Sequence, residues 1–297
     1  MARHIGLAAL VTLALAAPAA AQSPSTTQPR IINGRLAPQP AGGLDATFRS
    51  LVAAQTDPAW IGYAVPIAPG DNSMCCYGDG GITSCRLESS TTASGTTIRS
   101  RSTATSPVQL EGADAMIVLF RVADKAVQKV RSFTPDCELD AGGRTIHWLE
   151  GVAPADSVAL LAGLITRDED KRDRVNHGAL AAIAMHRDPS AESTLIRLAR
   201  KDTSAKVRGD ALFWLAQKAG QKAAGEITAA IEQDPETEVK RRAVFALSQL
   251  PKDEGVPLLI QVAKTNKNPA VRKQAMFWLG QSKDPRALDF FTEVLSK

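Results

Sequence analysis

Among the side chains able to do chemistry, the four cysteines come first: Cys75, Cys76, Cys85 and Cys137, all in the first half of the chain. An even number suits two disulfides in an oxidising compartment. Cys75 and Cys76 are adjacent, and a bond between neighbours is strained. The spacing therefore favours a local link from Cys75 or Cys76 to Cys85 across the Tyr77-Gly78-Asp79-Gly80-Gly81 loop, with the other of the adjacent pair reaching Cys137. The competing chemistry is a thiolate metal site including His147, but adjacent cysteines match poorly the C-x₂₋₄-C spacing of zinc sites. No C-x-x-C is present for redox work.

Acid–base and nucleophilic chemistry finds less material. The chain has four histidines and no G-x-S-x-G, H-E-x-x-H, phosphate loop or dinucleotide fingerprint. His177 and His186 stand nine positions apart on one expected helix, on opposite sides of it, and cannot readily share a metal. Both are expected to face solvent. The run Asp168-Glu169-Asp170, followed by Lys171-Arg172-Asp173-Arg174, offers oxygens to a cation, but calcium needs six or more that converge. A solvated loop is the expectation. The residues thus predict no catalysis, no cofactor and no metal.

Two other sets recur at a fixed spacing. One residue after each of Val175, Val207, Val239 and Val271 come Asn176, Arg208, Lys240 and Arg272; five before each come Asp170, Asp202, Asp234 and Asn266. Such a ladder is expected to brace the turns between units and to pair acid with base, holding successive units in register; anion binding is the alternative. Six residues after each valine come Ala181, Phe213, Phe245 and Phe277. At 100° per residue this position points away from the apolar face, so the phenylalanines form either a packing line or a binding strip rimmed by Gln217, Gln249 and Gln281. Trp214 and Trp278 fall at the core edge and are expected to pack.

The elements behind this spacing are helix pairs. Each 32-residue unit carries apolar residues at offsets zero, four, five and eight, then a break containing Asp188-Pro189, Pro251 or Asp284-Pro285, then a second apolar face at offsets twenty and twenty-four. One pair cannot bury its apolar face alone, so the units must stack. The phrases Val207-Arg208-Gly209-Asp210-Ala211-Leu212-Phe213-Trp214-Leu215 and Val271-Arg272-Lys273-Gln274-Ala275-Met276-Phe277-Trp278-Leu279 resemble HEAT repeats of the short bacterial type named after phycobilisome lyases. The resemblance covers residues 155–297 and implies a right-handed superhelix of about four helix pairs. Functionally it implies a scaffold or binding surface more than a reaction.

The remainder divides into three. Arg3 and His4, an apolar run from Ile5 to Ala17 and the small residues before Gln22 read as a cleavable signal peptide over 1–21, too short to span a bilayer. Residues 22–43 are expected to be flexible, and 44–154 to form a small β-rich, disulfide-containing domain. Within it, Leu44–Ala54 reads as a helix; Trp60–Ile67, Ala115–Val122 and Val127–Phe133 read as strands, the last two joined by a turn at Asp124-Lys125. Thr96–Ser102 reads as an exposed strand or loop. A second hairpin is expected from Cys137–Leu139 to Thr145–Leu149 across Gly142-Gly143.

Residues 22–154 carry 11 basic and 12 acidic residues and residues 155–297 carry 23 and 19, so neither half has the basic polarity of a nucleic-acid binder. The expectation is an α+β multidomain protein, periplasmic or secreted, acting as a scaffold for a protein partner, with no nucleic acid and no membrane span. The alternatives are an enzyme or enzyme subunit resembling bilin lyases, and an envelope-polymer binder.

Overall fold

The computed structural model describes residues 27–70, 73–78, 81–88, 113–166, 169–219 and 221–296. The expected signal peptide, the segment Thr96–Ser102 and Asp168 lie outside the described residues, as do the side chains of residues 169–173, Asp170 among them.

The first half is built on a mixed five-stranded sheet. Its order is β2 (Arg35–Pro40), β10 (Thr145–Glu150), β3 (Ala59–Pro66), β7 (Ala115–Ala123) and β8 (Ala126–Phe133). β10 runs parallel to both β2 and β3, and β7 is antiparallel to β3 and β8. β3 is apolar throughout and β7 is apolar but for Arg121, because both faces of the sheet are covered. On one face Ile61, Tyr63, Val65, Met116, Val118 and Phe120 meet α1 (Leu44–Ala54), α2 (Pro154–Gly163) and α3 (Glu169–Met185). On the other, Trp60, Ala64, Ile117, Leu119 and Trp148 meet a smaller sheet of β1 (Arg30–Ile32), β9 (Glu138–Asp140) and β6 (Cys85–Arg86). β4 (Cys76–Gly78) and β5 (Gly81–Thr83) make a short hairpin beside it.

Two expectations are corrected here. The segment 22–43, expected to be flexible, supplies β1 and β2, each hydrogen-bonded in parallel to a strand more than 100 residues later. The second hairpin does not form. Gly142 and Gly143 adopt positive φ as expected (58° and 81°), but β9 pairs with β1 and β6 while β10 enters the large sheet. The turn redirects the chain between layers. The first hairpin matches its reading: Ala123 pairs with Ala126, and Asp124 and Lys125 take φ of 53° and 57°, the left-handed pair of a tight two-residue turn.

The second half is a two-layered stack. α3, α5 (Ala205–Ala219), α7 (Thr237–Ser248) and α9 (Pro269–Ser282) pack in succession as one layer. α2, α4 (Pro189–Lys201), α6 (Gln221–Gln233), α8 (Lys252–Thr265) and α10 (Pro285–Leu295) form the other. The repeat positions are core: Val175, Val207, Val239 and Val271, and Ala179, Ala211, Ala243 and Ala275, are all buried. The breaks work as helix starts. Asp188, Asn268 and Asp284 each accept a backbone N–H two residues on, with proline filling the first helical position where no N–H is needed.

The two halves share one core. The cluster containing Ile61, Tyr63 and Phe120 runs without interruption into Val158, Leu161, Leu180, Ile183 and on to Leu279. α3 packs against β8, the edge strand, and Gly178 permits the approach, since a Cβ there would collide with the Val130 carbonyl oxygen.

Candidate functional site

Two of the side chains six after a repeat valine meet directly, and a neighbouring tryptophan joins a third. Phe213 and Phe245 stack in parallel, centroids 5.6 Å apart and 4° from coplanar. Phe245 then meets Trp278 at 4.8 Å, and Trp278 meets Phe277 edge-on at 5.0 Å. At the other end Phe213 contacts Trp214 at 5.2 Å, and Trp214 contacts His177 at 5.6 Å. The result is one aromatic strip across α3, α5, α7 and α9. Packing and exposure coexist along it: Trp214 is buried, Phe213, Phe245 and Trp278 are half-buried, and Phe277 is 54% exposed. Gln217, Gln249 and Gln281 are exposed beside it.

The tryptophans were legible only as core. Phe-Trp occurs at 213–214 and again two units later at 277–278, and one step on a helix turns the indole about 100° from the phenyl, toward the neighbouring unit. Their indole N–H groups lie buried without an acceptor among the described residues. A cavity of about 240 Å³ opens beside Phe245 and Trp278, lined also by Glu238, Arg241, Arg242 and Gln274. A second, of about 180 Å³, lies on the other side of Trp278, against Gln249 and Gln281.

The ladder of acids and bases is joined through the turns. Arg208 donates to both carboxylate oxygens of Asp234, just past the end of α6 in the same helix pair, at 2.7 and 3.0 Å, and to the Asp202 carbonyl at 2.9 Å. That ion pair is nearly buried, with side chains 10% and 7% exposed. Arg272 donates to the carbonyls of Asn266 and Lys267, and Lys240 to that of Glu232. Asn176 closes on Thr166, accepting its N–H and donating to its carbonyl. Asp202 and Asp234 each accept an N–H two residues on, from Ser204 and Glu236. Every described member is thus engaged in shaping a turn.

One constellation has the look of catalysis and the burial of a strut. His186 Nε2 lies 2.8 Å from Ser157 Oγ, which lies 2.8 Å from the Tyr63 hydroxyl, and all three residues are 0% exposed. His186 Nδ1 faces the Ala182 carbonyl at 2.7 Å, so Nδ1 carries the proton and Nε2 accepts from Ser157. Ser157 then has no second proton, and Tyr63 donates to it. Burial pushes the His186 pKa down to about 4, keeping it neutral, and pushes that of Tyr63 up. The expectation that His186 faces solvent is therefore corrected: its helix end lies against the sheet, where Ile67 bridges to it. His177 does face solvent.

The cysteines pair as Cys75 with Cys137 and Cys76 with Cys85, Cα atoms 5.4 and 5.3 Å apart. The spacing argument had left open which of the adjacent pair took the local link. Cys75, Asp136 and Cys137 converge within 4.8 Å, but both sulfurs are committed to the disulfide. His147 lies on the other face of the sheet, 3.3 Å from the Gln55 side chain. Beside the disulfides, Arg121 forks onto Glu88, which also accepts the Trp60 indole N–H at 2.7 Å.

Residues 226–297 match the family model for HEAT repeats. No curated protein matches the chain. Among solved structures, human deoxyhypusine hydroxylase in complex with glycerol is 20% identical over 42% of this chain and 43% of its own, with a TM-score of 0.34. The complex of CpcE and CpcF of phycocyanin lyase from Nostoc is 16% identical over 48% of this chain and 89% of that one, TM-score 0.37. YibA from E. coli is 24% identical over 47% and 53%, TM-score 0.33. The chain spans less than half the length of the hydroxylase, and likenesses at these scores carry no argument about activity. No described helix is long and apolar enough to cross a membrane. The sequence match and the stacked pairs together support a HEAT-repeat protein.

Proposed function

We propose that the chain is an exported scaffold in the cell envelope, with no catalysis of its own. A sheet-based, disulfide-bonded foundation supports a right-handed HEAT solenoid whose α5–α7–α9 layer docks a protein partner. The observation that carries this reading is the aromatic strip, continuous over four helices and left open at Phe277, with glutamines along its rim. Interfaces are enriched in aromatic side chains at the centre with polar groups around them. The ladder, by contrast, spends its charges on turns, so it supports the surface without offering one. Export over residues 1–21 and a periplasmic or secreted location belong to the same reading.

The test is capture of partners from the envelope fraction by the mature protein and by a variant with Phe213, Phe245 and Phe277 all changed to Ser. A partner retained by wild type and lost by a folded variant is the expected result. Retention of every partner by a folded variant overturns the reading.

A further inference from the structure

The two helix layers of the last three units differ in charge. α5, α7 and α9 together carry eight basic and two acidic residues, whereas α6, α8 and α10 carry four basic and six acidic. The aromatic strip lies on the basic layer. Arg241 and Lys273, one after the other at the same repeat position, are exposed on it, and Arg241 lines the cavity beside Phe245 and Trp278. The two carboxylates of this layer are shared among three cations, Asp210 by Lys206 and Arg242 and Glu238 by Arg241 and Arg242, which leaves an excess of positive charge.

We propose that this face takes an extended acidic segment of polypeptide, its apolar side chains on the aromatic strip and its carboxylates beside Arg241 and Lys273. The inference rests on the docking reading above and adds the partner's chemistry. Spacing supports an extended chain. Stacked helices lie about 8 to 10 Å apart, and an extended chain advances about 3.3 Å per residue, so every third residue of the ligand meets the next helix. Charge supports an acidic one, since a basic face steers anionic partners to it and repels basic ones. A second copy of this chain presents its acidic residues on the packed helices α6, α8 and α10 rather than on an extended segment. Nucleobases and sugars fit poorly, because they stack on ring faces and the central rings, Phe213 and Phe245, spend facing sides on each other.

The test uses the full mature chain and two labelled synthetic peptides of equal length. Both carry Leu or Phe at every third position; one has Glu and Asp between them, the other Lys. The acidic peptide is expected to bind on the order of tenfold or more tightly than the basic one, and to weaken as salt is raised. The double variant Arg241→Glu with Lys273→Glu should lose that preference in a protein that still folds cooperatively, since what Arg241 gives up are surface contacts to Glu238 and Gln274. Equal affinity for the two peptides, or a charge reversal without effect in a folded variant, overturns the proposal. So does binding of an RNA oligonucleotide or anionic vesicles as tight as that of the acidic peptide. If the acidic peptide does not bind while an envelope partner is still lost on the triple Phe→Ser change, the docking reading stands and the acidic assignment falls. If no partner depends on the phenylalanines, the docking reading itself falls.

Discussion

The sheet half and the helix half contribute to one apolar core by opposite routes. In the sheet half, neighbours in space are distant in sequence: Arg30 pairs with Glu138 and Leu36 with Ile146. In the helix half each unit packs mainly on the next, 32 residues away, and the same offsets serve in every unit. Repetition makes a surface as well as a core, because whatever side chain stands at an outward offset is also repeated. Among its described residues the sheet half has no such periodic face: Phe48, Phe120 and Tyr63 cluster inside its core, and Glu88 is engaged by Trp60 and Arg121.

The sharpest way to break this comparison is to separate the halves. Repeat proteins depend mainly on neighbouring units, but here α2 and α3 rest on the sheet through Val158, Leu161 and Ile183. A fragment of residues 155–297 is expected to leave α2 and α3 unprotected in hydrogen exchange while α7 and α9 stay protected. Uniform protection equal to that of the whole chain would show that the shared core contributes nothing.

Next in size is the ion pair between the start of α5 and the end of α6, Arg208 with Asp234. Asp234→Ala leaves Arg208 nearly buried without its partner, at a cost of about 3 to 5 kcal/mol. Urea unfolding measures it, and the double change with Arg208→Ala should cost less than the sum of the singles. Additivity would mean that the two side chains do not act as a pair.

Gly178→Ala should cost about 1 to 3 kcal/mol as an overpacking change, because the new methyl meets the Val130 backbone oxygen rather than a movable side chain. A helix-favouring glycine-to-alanine change that stabilises instead would mean α3 is not seated on β8.

The smallest effect tests the junction by pH. Burial holds His186 near pKa 4 against 6.5 in its absence. As pH falls, the unfolded chain takes up the proton first, so this contribution is complete above about pH 6.5 and is lost toward pH 4. Between pH 7 and pH 5 the loss amounts to about 2 kcal/mol. His147, also lowered by burial and by Arg35, adds in the same direction. His186→Asn should be less stable throughout and should lose most of this slope; an unchanged slope would place the titration elsewhere.

What the residues disclosed follows the same division. The period, the helix pairs, their proline-bounded starts and the Phe line were legible because each depends on spacing within about 32 residues. The parallel pairing of β1 with β9 was not, since nothing local distinguishes a short strand that finds a partner 108 residues on from a loose tail. His186 was misplaced for a related reason: a histidine at a helix end reads as solvated until the sheet that covers it is known. The tryptophans of the strip were read as packing residues, and they are; that their rings also join successive phenylalanines needed the stacking of α7 on α9.

The central claim is that one line of side chains serves packing at one end and recognition at the other. Phe213→Ser and Phe277→Ser, made singly in the mature chain and compared in melting temperature and in partner capture, test it most directly. Phe213→Ser is expected to lower the melting temperature by several degrees, a loss of about 1 to 3 kcal/mol. Phe277→Ser, with its ring 54% exposed, is expected to leave the melting temperature unchanged and to lose the partner. A Phe277→Ser protein that melts early, or that is stable and holds its partner as wild type does, contradicts the account.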